Sequence, residues 1–95
     1  MLSQMPIDLK NLKKDDVDKE IARVGMIAEL DAVNFYEQLA SFTNNRNLKK
    51  VLLDIAREEK THISEFETIL FNLDKEQVAE SEKAKKEVFE LTNIS

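Results

Sequence analysis

The chain has 95 residues, of which 42% are hydrophobic and 35% charged, and it holds one glycine and one proline. This length fits one small domain, and so few helix breakers favour long helices. Because a chain this short buries only a modest fraction of its surface, we expect a partner to stabilise it. The net charge of −5 argues against nucleic-acid binding, which requires a basic surface.

Secreted and membrane-inserted proteins are disfavoured as well. The absence of cysteine excludes disulfides, thiolate metal sites and cysteine nucleophiles. The opening residues, MLSQMPIDLKNLKKDD, lack the apolar core of a signal peptide, and no apolar run approaches membrane-spanning length. We therefore expect a soluble, cytoplasmic protein with no membrane partner.

The first predicted element is an irregular lead-in over residues 1–14, which hold the sole proline and no sustained periodicity. A first helix follows. It can be capped by Asp15 or Asp16, and it runs to about Phe42.

The polar stretch TNNRN, residues 43–47, interrupts the helical pattern. A second helix is predicted from about Asn47 to Asn72. Because so short a connection joins antiparallel neighbours, residues 15–73 are expected to form a helical hairpin.

Residues 74–95 are expected to form a shorter, heavily charged C-terminal helix and tail. Asp74 and Gln77 match a capping pattern for this helix, which should end near Leu91. Its expected apolar anchors are Val78, Val88, Phe89 and Leu91. The predicted fold class is therefore all-α, with an antiparallel two-helix hairpin followed by a third helix.

The second helix carries a seam of eight positions that step by four and three residues, as in a coiled coil. These are Leu48, Leu52, Ile55, Glu59, His62, Phe66, Ile69 and Leu73. Its two central members, Glu59 and His62, are ionisable, and burying such groups without partners costs several kcal/mol. A metal would satisfy both, because imidazole and carboxylate are ordinary ligands for iron, manganese or zinc.

The first helix has one carboxylate, Glu29, on an otherwise small and apolar face. That face consists of Ala22, Gly25, Ala32, Val33, Tyr36 and Ala40. Glu29 lies roughly 24 Å before the middle of the loop, and Glu59 and His62 lie roughly 21 and 26 Å after it. The three side chains should therefore meet at one height. Gly25 costs roughly 1 kcal/mol relative to alanine in a helix interior, which favours close packing at that position.

Such a hairpin would supply half of a ferritin-like di-metal site. The full site takes one Glu from each of two helices and a Glu-x-x-His from each of the other two. Two copies related by a two-fold axis would complete both the four-helix bundle and the ligand set. We therefore expect metal binding and dimerisation to be one event.

A plainer interpretation stays open at this point. A lone histidine on an apolar face is often a core residue with a satisfied hydrogen bond, and Glu29, Glu59 and His62 could form only a hydrogen-bonded cluster. Tyr36 could hydrogen-bond a ligand or simply pack. Asp31 lies off the Glu29 face, where a solvated or inter-subunit position is expected. An exposed charged face is expected for Glu58, Glu65 and Glu67, and core or interface positions for Phe35, Phe42, Phe66 and Phe71.

The stretches IAELDAVNFYEQLA (27–40) and VLLDIAREEKTHISEF (51–66) resemble the encapsulated ferritins, half-length ferritin-like proteins of encapsulin compartments. The likeness extends from about residue 20 to FELTNI near the end. It is closest to members in which the ferritin-like segment precedes an encapsulin shell domain in one polypeptide.

This resemblance implies a ferroxidase, which oxidises Fe(II) with oxygen at a di-iron centre on a dimer interface. The bridging glutamate of the family corresponds to Glu29, and its second-helix ligands correspond to Glu59 and His62. The tyrosine beside the centre corresponds to Tyr36. An acidic pair at the iron entry is matched only by Asp31, with Ala28 at the other position.

The resemblance also implies partners. The dimers of the family assemble as an open ring of five, a decamer, and the surrounding encapsulin shell protein stores the iron. The chain would then lie in the cytoplasm, inside an encapsulin nanocompartment. The tryptophan of some members is Phe35 in this chain. We do not expect KEVFELTNIS to carry a separate shell-docking peptide, so the chain would either be a fragment of a shell fusion or dock by other means.

Two other functions are compatible with the sequence. One is a non-enzymatic helical module that dimerises or tethers a partner. The other is a different activity at the same di-metal carboxylate site, such as a peroxidase or an oxygenase. Rubrerythrins are disfavoured because their additional iron domain requires cysteines.

Overall fold

The structure is a computed structural model that describes residue 13 and residues 16–95. The described part of the chain folds into three helices: α1 (Val17–Phe42), α2 (Arg46–Leu73) and α3 (Lys75–Thr92). The predicted all-α class is confirmed. No helix in these residues is both long enough and apolar enough to cross a membrane.

The start of α1 differs from the expected capping pattern. Asp16 is the residue before the helix, but its side chain makes no capping hydrogen bond. The helix instead has Asp18 and Glu20 in its first turn, where negative charge is favourable to the helix dipole. Apart from Lys13, the predicted lead-in over 1–14 lies outside the described residues, and so does Asp15.

A short polar connection reverses the chain between α1 and α2. The Thr43 backbone is extended and its N–H donates to the carbonyl of Leu39 at 3.3 Å, which ends α1. The Asn45 side chain then accepts a 2.9 Å hydrogen bond from the Leu48 N–H. Because an N-cap of this kind satisfies an otherwise free helix donor, α2 begins at once and runs back along α1.

The hydrophobic core of the hairpin consists mainly of small side chains. Among the described residues, the buried hydrophobic ones are Ala22, Ala32, Ala40, Leu52, Ala56 and Leu70. The three alanines of α1 confirm the small face predicted for that helix. Because alanine is so small, the two helix axes can approach towards the short end of the usual 8–10 Å range.

The seam predicted for α2 is less buried than expected. Only Leu52 of its eight members is buried, while Leu48 and Ile69 near its ends are exposed. The buried residues of α2 are Leu52, Ala56 and Leu70, so the side of α2 that faces α1 includes only part of the seam. The exposed seam members lie at the open margin of the hairpin. One hairpin therefore covers this seam only in part.

α3 packs on the hairpin only near its start. The predicted anchor Val78 is half-buried, but Val88, Phe89 and Leu91 are exposed and α3 has no buried residue. The radius of gyration is 16.7 Å, against about 12 Å for a compact chain of this length. Three of the four predicted anchors are therefore wrong for a single chain, because α3 extends away from the core.

Asp74 fixes the direction of α3 relative to the hairpin. Its carboxylate accepts a 3.1 Å hydrogen bond from the Gln77 N–H, as the predicted cap requires, and a 2.8 Å ion pair from Arg23 of α1. The Gln77 hydrogen bond is the main cause that lowers the pKa of Asp74, and Arg23 lowers it further, while burial raises it. The start of α3 is thus fixed to α1 as well as to α2.

We expect Asp74→Ala to lower the melting temperature by a few degrees and to increase amide exchange in the first turns of α3. Asp74→Asn keeps the capping acceptor and removes the charge. Because folding lowers the pKa of Asp74, its ionised form stabilises the fold above about pH 4. That stabilisation is lost as the pH falls through the lower folded pKa.

Urea unfolding measured as a function of pH tests this assignment. Asp74→Asn should flatten the acidic part of the stability profile. The control is Glu80→Gln, which removes an exposed carboxylate of α3. An equal flattening in both variants would contradict the role of Asp74.

Candidate metal centre

Glu29, Glu59 and His62 converge between the middle portions of α1 and α2. The Nδ1 atom of His62 lies 3.3 Å from Oε2 of Glu59 and 3.4 Å from Oε2 of Glu29. One ligand atom of each residue lies within 4.8 Å of the other two. The predicted meeting of these side chains at one height is confirmed.

The spacing of these atoms fits a shared metal ion. Oxygen and nitrogen ligands lie about 2.0–2.2 Å from a first-row metal such as zinc, so two ligands of one ion are roughly 3–4 Å apart. The 3.3 and 3.4 Å separations in this cluster fall in that range. They are also longer than a good hydrogen bond. Two carboxylates with one imidazole suit iron, manganese or zinc.

The cluster faces outward on one side. The Glu29 and Glu59 side chains are 21% and 19% exposed, whereas His62 is 46% exposed. His62 is exposed because its part of the seam lies at the margin of the hairpin. The exposed side leaves room for ligands that do not come from this chain.

Exposed apolar side chains flank this opening towards both ends of the hairpin, and we call the surface that they form the front face. Its exposed members are Ile21, Leu39, Leu48, Val51, Ile69 and Leu73. Val51 and Ile69 lie eleven residues before and seven residues after His62, spacings that place all three on one side of α2. The metal-ligand cluster is therefore at the centre of an exposed apolar stripe.

The two remaining candidate residues lie outside the ligand cluster. Tyr36 is half-buried, two turns beyond Glu29, and its ring packs edge-on against Phe35 with centroids 5.3 Å apart. Asp31 is half-buried, and so is Ala28. The roles expected for Tyr36 beside the metals and for Asp31 at the iron entry stay predictions.

The other acidic residues near the site behave as the sequence indicated. Glu58, Glu65 and Glu67 are exposed. An ion pair that the sequence does not indicate joins Lys60 to Glu37 at 3.1 Å across the hairpin. Helical spacing alone does not indicate this pair, because the long lysine side chain reaches a turn of α1 closer to the loop.

A model of the EncFtn-like family matches residues 4–89. The chain belongs to the EncFtn-like family. The fold agrees with the crystal structure of the encapsulated ferritin domain from Pyrococcus furiosus. That match has a TM-score of 0.85 and 44% identity, and it covers all of this chain and 97% of the other.

Two curated relatives of this EncFtn-like chain are longer proteins. It is 55% identical over 75 residues to a ferritin-like-encapsulin shell fusion protein of Pyrococcus furiosus, a match that covers 79% of this chain and 22% of the relative. It is 36% identical over 70 residues to the encapsulin nanocompartment cargo protein EncC of Myxococcus xanthus, which covers 70% of this chain and 54% of the relative. The chain thus matches about a fifth of the first relative and about half of the second.

We expect Glu59→Gln to abolish metal-induced stabilisation of this EncFtn-like chain. With Co(II) at about 100 times its dissociation constant, binding to the folded state should stabilise the wild type by about 2.7 kcal/mol. Without metal, Glu59→Gln should be slightly more stable than the wild type, because it removes one of two converging carboxylates. Thermal unfolding with and without Co(II) measures both effects.

Glu58→Gln is the matched control, since Glu58 is the adjacent exposed glutamate. It should retain the Co(II)-induced shift. A shift that disappears equally in both variants would contradict the assignment of Glu59 as a ligand.

Proposed function

We propose that the chain is a ferroxidase that oxidises Fe(II) to Fe(III) with molecular oxygen at a di-iron site shared by two copies. The observation that carries the proposal is the convergence of Glu29, Glu59 and His62 on an exposed side of the hairpin. Fe(II) is the substrate. Each ferrous ion gives up one electron, so two ions and two protons reduce oxygen to hydrogen peroxide, or four ions and four protons reduce it to two waters.

The ligand residues have distinct tasks in this proposal. Glu29 bridges the two ions, while Glu59 and His62 of each copy hold one ion. The negative charge of the carboxylates stabilises Fe(III) more than Fe(II), because the attraction grows with the charge of the ion. His62 supplies a neutral nitrogen donor through Nδ1, the ring atom that faces both carboxylates.

A second copy supplies the missing ligands. One hairpin offers only a Glu and a Glu-x-x-His, which is half of the set used by ferritin-like di-metal proteins. The exposed apolar front face flanks the cluster and is suited to burial against an identical face. Dimerisation would therefore form the four-helix bundle and close the site in one step, and we propose that such dimers assemble further into a decameric ring.

The proposed setting is an encapsulin compartment in the cytoplasm. Support comes from the names of the two relatives, one a shell fusion protein and the other a nanocompartment cargo protein. In this setting the chain delivers oxidised iron, and the shell protein retains it. We assign Tyr36 to the surroundings of the metal pair and Asp31 to the path by which iron enters.

His62→Ala should abolish Fe(II) oxidation and stoichiometric metal binding together. The wild type, offered Fe(II) without oxygen, should bind about one ion per chain and then oxidise it when oxygen is admitted. Elemental analysis and absorbance of the ferric product measure the two steps. Thr61→Ala, at the adjacent exposed position, should retain both.

Full oxidation activity in His62→Ala would contradict the ferroxidase proposal. A wild type that dimerises but binds no stoichiometric metal would favour the non-enzymatic helical module instead. Metal binding without Fe(II) oxidation would favour a different activity at the same site.

Ile69→Lys on the front face should prevent dimerisation, because it would bury a charge at the interface. We expect the dimer dissociation constant to increase at least a hundredfold, as measured by sedimentation. The matched control is Leu30→Lys, since Leu30 is 51% exposed against 56% for Ile69 but lies in the cleft beside α3. Dimerisation that is lost equally in both variants would contradict the use of the front face.

A further inference from the structure

Gly25 and Phe66 meet one helical turn from the metal-ligand cluster. Gly25 precedes Glu29 by four residues, and Phe66 follows His62 by four. A Cβ atom added to Gly25 would lie 2.7 Å from Cε1 and Cζ of Phe66 and 2.8 Å from its Cδ1. Side-chain atoms do not approach so closely, so the ring occupies space that only glycine leaves free.

The glycine is unfavourable for the helix in which it lies. Glycine in a helix interior is less stable than alanine. The rest of the α1 packing face uses alanine at its buried positions, namely Ala22, Ala32 and Ala40. The Phe66 ring, which fills the space of a Cβ atom at position 25, therefore accounts for the glycine. Close approach of the two helices alone does not.

The ring also belongs to the front face. Phe66 is half-buried and lines a depression together with Ile21, Ile69 and Leu73. The inner edge of its ring lies against Gly25 of α1. With that space filled, the α1 backbone would block any inward movement, and the ring would have to move out towards the front face.

We infer that Gly25 and Phe66 are positioning residues for the shared metal site. The space that glycine leaves at position 25, which we call the notch, keeps the Phe66 ring close to α1, so that two half-sites can meet. The inference rests on the proposed function. Paired metals in such sites lie about 3.5–4 Å apart, so the two front faces must be in close contact beside His62. A ring displaced outwards at this position would hold them apart.

Gly25→Ala tests the notch. It should weaken Co(II) binding at least tenfold in equilibrium dialysis and increase the dimer dissociation constant in sedimentation. The second variant is Phe66→Ala, which removes Cδ1, Cε1 and Cζ, the three atoms that an added Cβ would meet. In the Phe66→Ala background, Gly25→Ala should change Co(II) affinity and dimerisation less than twofold.

The double variant separates a steric effect from loss of folding. If Gly25→Ala alone fails to fold, recovery of folding and binding in Gly25→Ala/Phe66→Ala supports the inference, and failure to recover overturns it. Equal losses from Gly25→Ala with and without Phe66 would also overturn it. If Gly25→Ala raises the melting temperature and leaves Co(II) binding unchanged, the inference is also overturned, because helix propensity alone predicts that result.

The wild type distinguishes the inference from the proposed function. A wild type that binds no Co(II) or Fe(II) overturns both. A wild type that binds metal while Gly25→Ala binds it equally well overturns only the positioning role.

Discussion

The structure depends on the close packing of α1 against α2 through alanine side chains. Ala32 of α1 and Ala56 of α2 are buried beside the ligand residues, with Ala22 and Ala40 towards the ends of the hairpin. Small residues let the helices approach, and this brings Glu29 within 3.4 Å of His62. Bulkier residues at the contact would separate the carboxylate from the imidazole.

The same packing leaves the hairpin incomplete as a single unit. Alanines bury little apolar area, so a core built from them contributes modestly to stability. The larger apolar side chains, such as Ile69 and Val51, lie on the front face around His62. In one chain His62 and the apolar stripe are both exposed, and the second copy of the proposed dimer would cover both. This is the physical reason for linking metal binding to dimerisation.

The sequence predicted the helices well because their signals are local. At Asn45 and at Asp74, the side-chain oxygen accepts a hydrogen bond from the backbone N–H of the residue three positions later. The anchors of α3 were predicted poorly. Val88, Phe89 and Leu91 have the spacing of a buried face, but spacing does not say whether a surface exists to cover them. Arg23 binds Asp74 from 51 residues away, and no local pattern indicates that contact.

The helix order and the candidate ligands Glu29, Glu59 and His62 follow from the amino-acid sequence, because helical periodicity and equal distance from the loop are properties of the chain. The tertiary structure decided which side of α2 faces α1, and hence that His62 lies at an exposed margin. It also decided that the Phe66 ring occupies the notch at Gly25. The rotation of one helix against another is set by the packing of side chains from both, which the periodicity of either helix alone does not specify.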